Sequence, residues 1–96
     1  MAITVQKVSG AMRRARVPAS TSSSTRIRGW RDYTSGVCVY RAMDGNVCAY
    51  WVTGNHYIRE TPEMRAKNLK KITNALDAVG IKYTVKDDRA VIEANQ

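Results

Sequence analysis

The sequence predicts an α+β domain spanning residues 1–96, an antiparallel sheet with two helices in the order α-β-β-β-α-β-β. Three observations carry that expectation. Apolar residues recur at helical spacing in two stretches, residues 4–16 and 61–80. Residues 37–53 read as two strands flanking an Asp-Gly pair, a strong hairpin signal. The connections are short, which favours pairing between sequence neighbours and a layered sheet with helices on one face.

In the first helix Val5, Val8, Ala11, Met12 and Ala15 fall on one stripe, and Thr4 is placed to cap the start. Lys7, Arg13 and Arg14 project from the opposite side, with Arg16 at the boundary. Gly10 costs the helix about 1 kcal/mol relative to alanine, so tertiary packing has to hold it. Val17-Pro18 ends it, because proline disfavours a helical conformation in the residue before it. Residues 19–25 are a Ser/Thr run with the composition of a linker. Residues 26–33 have strand character, with Arg26, Arg28, Trp30 and Asp32 on one side and Ile27, Gly29, Arg31 and Tyr33 on the other.

With Asp44-Gly45 as a two-residue loop, Tyr40 faces Ala49 and Cys38 faces Trp51. That register puts Cys38 and Cys48 on opposite faces, where they cannot bridge, and Cys48 opposite Arg41. Two thiols and a reducing, intracellular setting are the expectation. Thr61-Pro62-Glu63 starts the second helix with a capping hydroxyl, a proline at the first position and an acid in the first turn. Met64, Leu69, Ile72, Ala75, Leu76 and Val79 form its apolar arc, Lys67, Lys70 and Lys71 lie on the far side, and Gly80 caps the end. Ile81, Tyr83 and Val85 alternate as a strand, Asp87-Asp88 turns, and residues 90–94 return.

Sixteen Lys and Arg stand against eight Asp and Glu, a net charge of +8, and the excess is unevenly placed. Residues 1–31 carry Lys7, Arg13, Arg14, Arg16, Arg26, Arg28 and Arg31 and no acid. Arginine's planar fork binds phosphate at two points and stacks on aromatic rings. Arginine beside tryptophan in residues 26–31 is the combination that grips phosphate while stacking a base, and Trp30 or Tyr33 is the stacking candidate. Trp30 and Trp51 are equally the core anchors expected of a chain with no phenylalanine.

Other chemistry is sparse. His56 is the one histidine and has no evident nucleophile or orienting acid in the sequence. The two cysteines read as small strand hydrophobes. There is no phosphate-binding glycine loop, dinucleotide fingerprint or metal-ligand motif, so no cofactor is expected and the chain reads as non-enzymatic. No apolar run reaches the roughly 20 residues of a membrane span, and the first residues lack the apolar core of a secretory signal.

From Ala11 to Tyr57 the segments MRRARV, STSSSTRIRGWRDYTSG and VTGNHY resemble small proteins of actinobacteria and their phages that carry no settled activity. The resemblance implies that the Ser/Thr run belongs to the domain as the approach to a strand, and a phage-encoded accessory role in an infected bacterial cytoplasm. The hairpin followed by MRAKNLKKITNAL is also similar to the end of a double-stranded-RNA-binding domain. However, the basic first helix, the missing Gly-Pro-x-His loop and the additional hairpin after the second helix depart from that family.

The resulting expectation is a small basic protein that binds DNA or RNA. Arg13, Arg14, Arg16, Arg26, Arg28 and Arg31 would meet phosphate with Trp30 stacking, and Lys67, Lys70 and Lys71 would form a second basic site. The alternative is an accessory protein that docks on an acidic host protein surface, anchored near Tyr50 or Trp51. An open sheet edge leaves room for a homodimer.

Overall fold

The computed structural model describes residues 2–21, 35–53 and 59–96. Its elements are α1 (Val5–Arg14), β1 (Ala19–Ser20), β2 (Ser35–Arg41), β3 (Val47–Thr53), α2 (Pro62–Ala78), β4 (Thr84–Lys86) and β5 (Arg89–Ile92). The α+β class with two helices is as the sequence predicts; among the described residues the sheet has five strands, the first of which, Ala19–Ser20, is not one the sequence predicts. The sheet is mixed rather than purely antiparallel. Its strand order is β1-β2-β3-β5-β4, and β1 runs parallel to β2 through Ala19 opposite Val37 and Ser20 opposite Cys38. A first strand therefore begins in the stretch that reads as a linker. The strand expected over residues 26–33 lies outside the described residues.

Both helices start and stop by local chemistry. The Thr4 hydroxyl accepts the Lys7 N–H (3.1 Å), and the Thr61 hydroxyl accepts the Met64 N–H (3.2 Å) with Pro62 behind it. At the end of α2 the Ile81 N–H donates to the Leu76 carbonyl and the Gly80 N–H to the Asp77 carbonyl, with Gly80 at φ +72. This is the paired-bond stop in which a left-handed residue satisfies the last carbonyls. The same stop ends α1, where Val17 N–H reaches Met12 O (2.9 Å) and Arg16 N–H reaches Arg13 O (3.0 Å). There the left-handed position, φ +60, is held by Arg16.

A side chain bearing a Cβ is strained in that conformation. Replacing Arg16 by glycine is expected to raise the unfolding free energy by roughly 0.5–1 kcal/mol, after allowing for the lost cation at a helix end. Thermal unfolding checks it: a higher midpoint is expected, and a lower one contradicts the strain.

The core lies between the helices and one sheet face. Val8 and Met12 of α1 and Ile72 and Leu76 of α2 pack on Val37, Val39, Val47, Ala49, Ala90 and Ile92. The buried stripe of α1 differs from the expected one at Ala15. Ala15 is exposed, and its place on the buried stripe is taken by Ser9, whose hydroxyl has no hydrogen-bond partner among the described residues. At the ends of the expected arc, Met64 in the first turn of α2 and Val79 just past its last residue are exposed. Val85 is likewise exposed, since β4 is the outer strand beyond the reach of α2.

The central hairpin differs from expectation by one residue. Arg41 pairs with Val47, Tyr40 with Cys48 and Cys38 with Tyr50. The Gly45 N–H donates to the Ala42 carbonyl (3.0 Å), the Ala42 N–H donates to the Asn46 carbonyl (2.8 Å), and Gly45 sits at φ +89. The loop is thus a turn through Met43-Asp44 followed by a left-handed glycine bulge, three residues rather than two.

A slip of one residue changes which side chains share a face. Val37, Val39, Val47 and Ala49 meet the helices, while Cys38, Tyr40, Cys48 and Tyr50 occupy the helix-free face. The cysteines therefore share a face instead of standing on opposite ones, and Cys48 faces Tyr40 rather than Arg41. Both are buried thiols, placed as diagonal neighbours. Diagonal positions lie about 7–8 Å apart, at the limit of what a disulfide spans.

Candidate nucleic-acid interface

Of the predicted contact residues, Arg13, Arg14, Arg16, Lys67, Lys70 and Lys71 are described and all are exposed. Arg26, Arg28, Trp30 and Arg31 lie outside the described residues, as do Tyr33 and His56.

Packing decides how the two described clusters relate. The Ile3 N–H bonds the Ala94 carbonyl beyond the end of β5, so α1 starts at the hairpin-loop end of the sheet. Ile3 and Lys7 share a groove with Val79 and Ile81, which follow α2. The beginning of α1 thus adjoins the end of α2, and the helices run antiparallel. The end of α1, with Arg13 and Arg16, therefore lies towards the start of α2, where Lys67 stands beside Glu63 of the first turn, while Lys70 and Lys71 lie at the middle of α2 and Arg14 lines the groove with Val79 and Ile81. Lys67 and Lys71 are four residues apart and share one line along α2. Tyr83 meets Asp77 and Thr73 on the β4 side of α2, which leaves Lys67 and Lys71 on the shoulder nearer α1.

The cations are held differently. Arg13 and Arg14 occupy the last turn of α1, where a positive charge is favoured by the unpaired carbonyls. No acid stands in the first turn of that helix. The Lys71 ammonium lies 5.0 Å from the centroid of the Trp51 ring, so it turns towards the sheet rather than straight out as the far-side reading has it. Trp51 itself is half-buried and packs on the core, which makes it an anchor of the fold more than an exposed docking residue.

A second group of residues goes unnoticed in the sequence. On the helix-free face Arg89 donates to the Tyr40 hydroxyl, and its guanidinium carbon lies 5.3 Å from the centroid of the Tyr50 ring. The two tyrosine rings meet edge to face at 5.7 Å. Burial, then a hydrogen bond with the Cys48 thiol, pushes the Tyr40 phenol above its usual range. For Tyr50 the hydrogen bond with the Cys38 thiol comes first and burial second. Both phenols therefore stay protonated at neutral pH. The signal that could have found this group is the alternation Cys38, Tyr40 against Val37, Val39, once the smaller branched residues are assigned to the helices.

No protein-family model, curated protein or solved structure matches the chain. Among the described residues no group of three or more metal-ligating side chains occurs, and no helix is long and apolar enough to cross a membrane.

Proposed function

We propose that this protein binds nucleic acid through the basic end of its helical layer. The observation that supports the reading is the antiparallel packing of α1 and α2, which sets the end of α1, with Arg13 and Arg16, against the half of α2 that carries Lys67, with Lys70 at that helix's midpoint. Arg13, Arg14 and Arg16 meet backbone phosphates from one helix, and Lys67 and Lys70 from the other. Such contacts position a nucleic acid without reading its sequence. Retention of Arg16 in a strained conformation fits the same reading, since glycine serves the fold better there and cannot bind phosphate.

The test is fluorescence anisotropy with labelled 20-residue duplex DNA, duplex RNA and single strands at low salt. Binding at micromolar concentration is expected for at least one of them. Absence of binding to all of them defeats the reading.

A second reading has its own support. The groove between the start of α1 and the end of α2, of about 330 Å³, has Ile3, Ala11, Val79 and Ile81 in its lining, with Lys7 and Arg14 also beside it. A side chain at Gly10 would meet nothing within 4 Å, so that wall is open. Apolar lining beside cations suits an acidic protein surface with a small hydrophobic anchor. Under this reading the protein is an accessory factor acting on such a partner, and a pull-down that survives nuclease treatment separates the two.

A further inference from the structure

We infer that the helix-free face of the sheet is a stacking platform for the bases of a single-stranded nucleic acid. The inference rests on the nucleic-acid reading above but places the contact on the opposite face of the molecule, on different residues.

Ser20, Cys38, Tyr50, Arg89 and Lys86 stand side by side in one row that crosses all five strands. Tyr40 and Cys48 lead the next row. A sheet surface turned away from its core ordinarily carries polar side chains. This one carries two half-buried tyrosines and two buried thiols, with cations on its β5 and β4 side. No aspartate or glutamate stands on this face within the described strands, and the nearest acids, Asp87 and Asp88, are in the β4–β5 turn, where they line a pocket with Tyr50 and Arg89. Aromatic rings beside cations on the strands complement a ligand that is planar and anionic at once. A nucleotide is such a ligand, since its base has a flat face and its phosphate a charge.

Local geometry supports that occupant. A cleft of about 400 Å³ on this face is lined, among the described residues, by Cys38, Tyr40, Arg41, Tyr50 and Arg89. Arg89 is fixed from two directions, by its bond to the Tyr40 hydroxyl and by its place over the Tyr50 ring. A guanidinium held in this way offers its outer plane to a base, and a base loses little entropy by stacking on a platform already ordered. The Arg89 Nε is buried with no partner among the described residues, so the side chain is placed at a cost that the fold alone does not explain. Arg41 at one margin and exposed Lys86 at the other lie where backbone phosphates would leave a stacked base. The rows run across neighbouring strands about 4.8 Å apart, so Tyr50 and Lys86 are separated by roughly 10 Å. That span suits a strand crossing the sheet better than one free nucleotide.

The test uses the full chain, a labelled ten-residue oligo(dT), and the variants Tyr50→Leu and Lys86→Gln. Tyr50→Leu is expected to weaken oligo(dT) binding roughly 5- to 150-fold, the value of one stacked base. Lys86→Gln, at an exposed position that does not threaten folding, is expected to weaken it severalfold. An abasic deoxyribose-phosphate ten-mer is expected to bind more weakly than oligo(dT) to the unaltered protein and equally to Tyr50→Leu. Upfield movement of the Tyr40 and Tyr50 ring protons on adding oligo(dT) is the matching spectroscopic sign.

If oligo(dT) binds but both variants and the ring protons are indifferent, the stacking platform is refuted while the helical-layer reading stands. If the sheet variants weaken binding and neutralising Arg13 and Lys67 does not, the platform stands and the helical-layer reading fails. If oligo(dT) does not bind and the ring protons move with protein concentration alone, the face joins two copies of the chain and the platform is refuted.

Discussion

Replacing Leu76 with alanine is expected to lower the unfolding free energy by about 2–5 kcal/mol, a large part of the ~5–15 kcal/mol that holds a domain of this size together. Leu76 is fully buried, and it sits where α2 meets the sheet in the same cluster as Met12 and Ile72. Removing its branched end deletes contacts to both helices and the strands, and a rigid surround cannot close the space. For a domain of this length the loss corresponds to a fall in melting temperature of roughly 10–30 °C. Met64→Ala, on the same helix and drawn from the same apolar arc, is expected to move the midpoint by little, because Met64 is exposed. Thermal denaturation of the two variants compares a buried and an exposed member of one predicted stripe. Equal effects would contradict the packing of α2 described above.

The contrast between those two residues also indicates how far the sequence reaches. Helix limits were legible because they depend on local chemistry: Thr61, Pro62 and Gly80 act within a turn of themselves. The apolar arc of α2 was legible in direction but not in extent, since what packs against its ends is not encoded in the helix. The hairpin was legible in place but not in register. Asp44-Gly45 fits a two-residue loop and a three-residue loop with a glycine bulge equally well, as both need a left-handed glycine.

Tertiary packing made the choice, uniting Val37, Val39, Val47 and Ala49 under the helices. Everything on the opposite face follows from that one-residue difference. Arg89 joins Tyr40 and Tyr50 only through the pairing of β5 with β3, across 39 positions of sequence from Tyr50 to Arg89, which no local pattern announces. The parallel pairing of β1 was hidden for a similar reason. Two residues in a Ser/Thr run have no strand signature of their own, and Ala19 and Ser20 are ordered by β2.

The charges were legible as faces of helices but not as a shared surface. Helical spacing placed Arg13 and Arg14 outward on one helix and Lys67 and Lys70 outward on the other. Only the antiparallel packing of α1 and α2 sets the end of α1 against the first half of α2, up to Lys70 at its midpoint. Neutralising four of these cations together, Arg13→Gln, Arg16→Gln, Lys67→Gln and Lys70→Gln, is therefore expected to have a far larger effect on binding than on stability. All four side chains are exposed, so folding should change by no more than about 0.5 kcal/mol per position. Affinity for a 20-residue nucleic acid at low salt is expected to fall on the order of a hundredfold or more, because each lost phosphate contact removes its share of counterion release.

The most direct measurement is the slope of log affinity against log salt concentration for the unaltered chain and this fourfold variant. If the basic end of the helical layer grips phosphates, the unaltered chain shows a steep negative slope and the variant one shallower by about 3.6, near 0.9 for each contact removed. Equal slopes for the two proteins would contradict it.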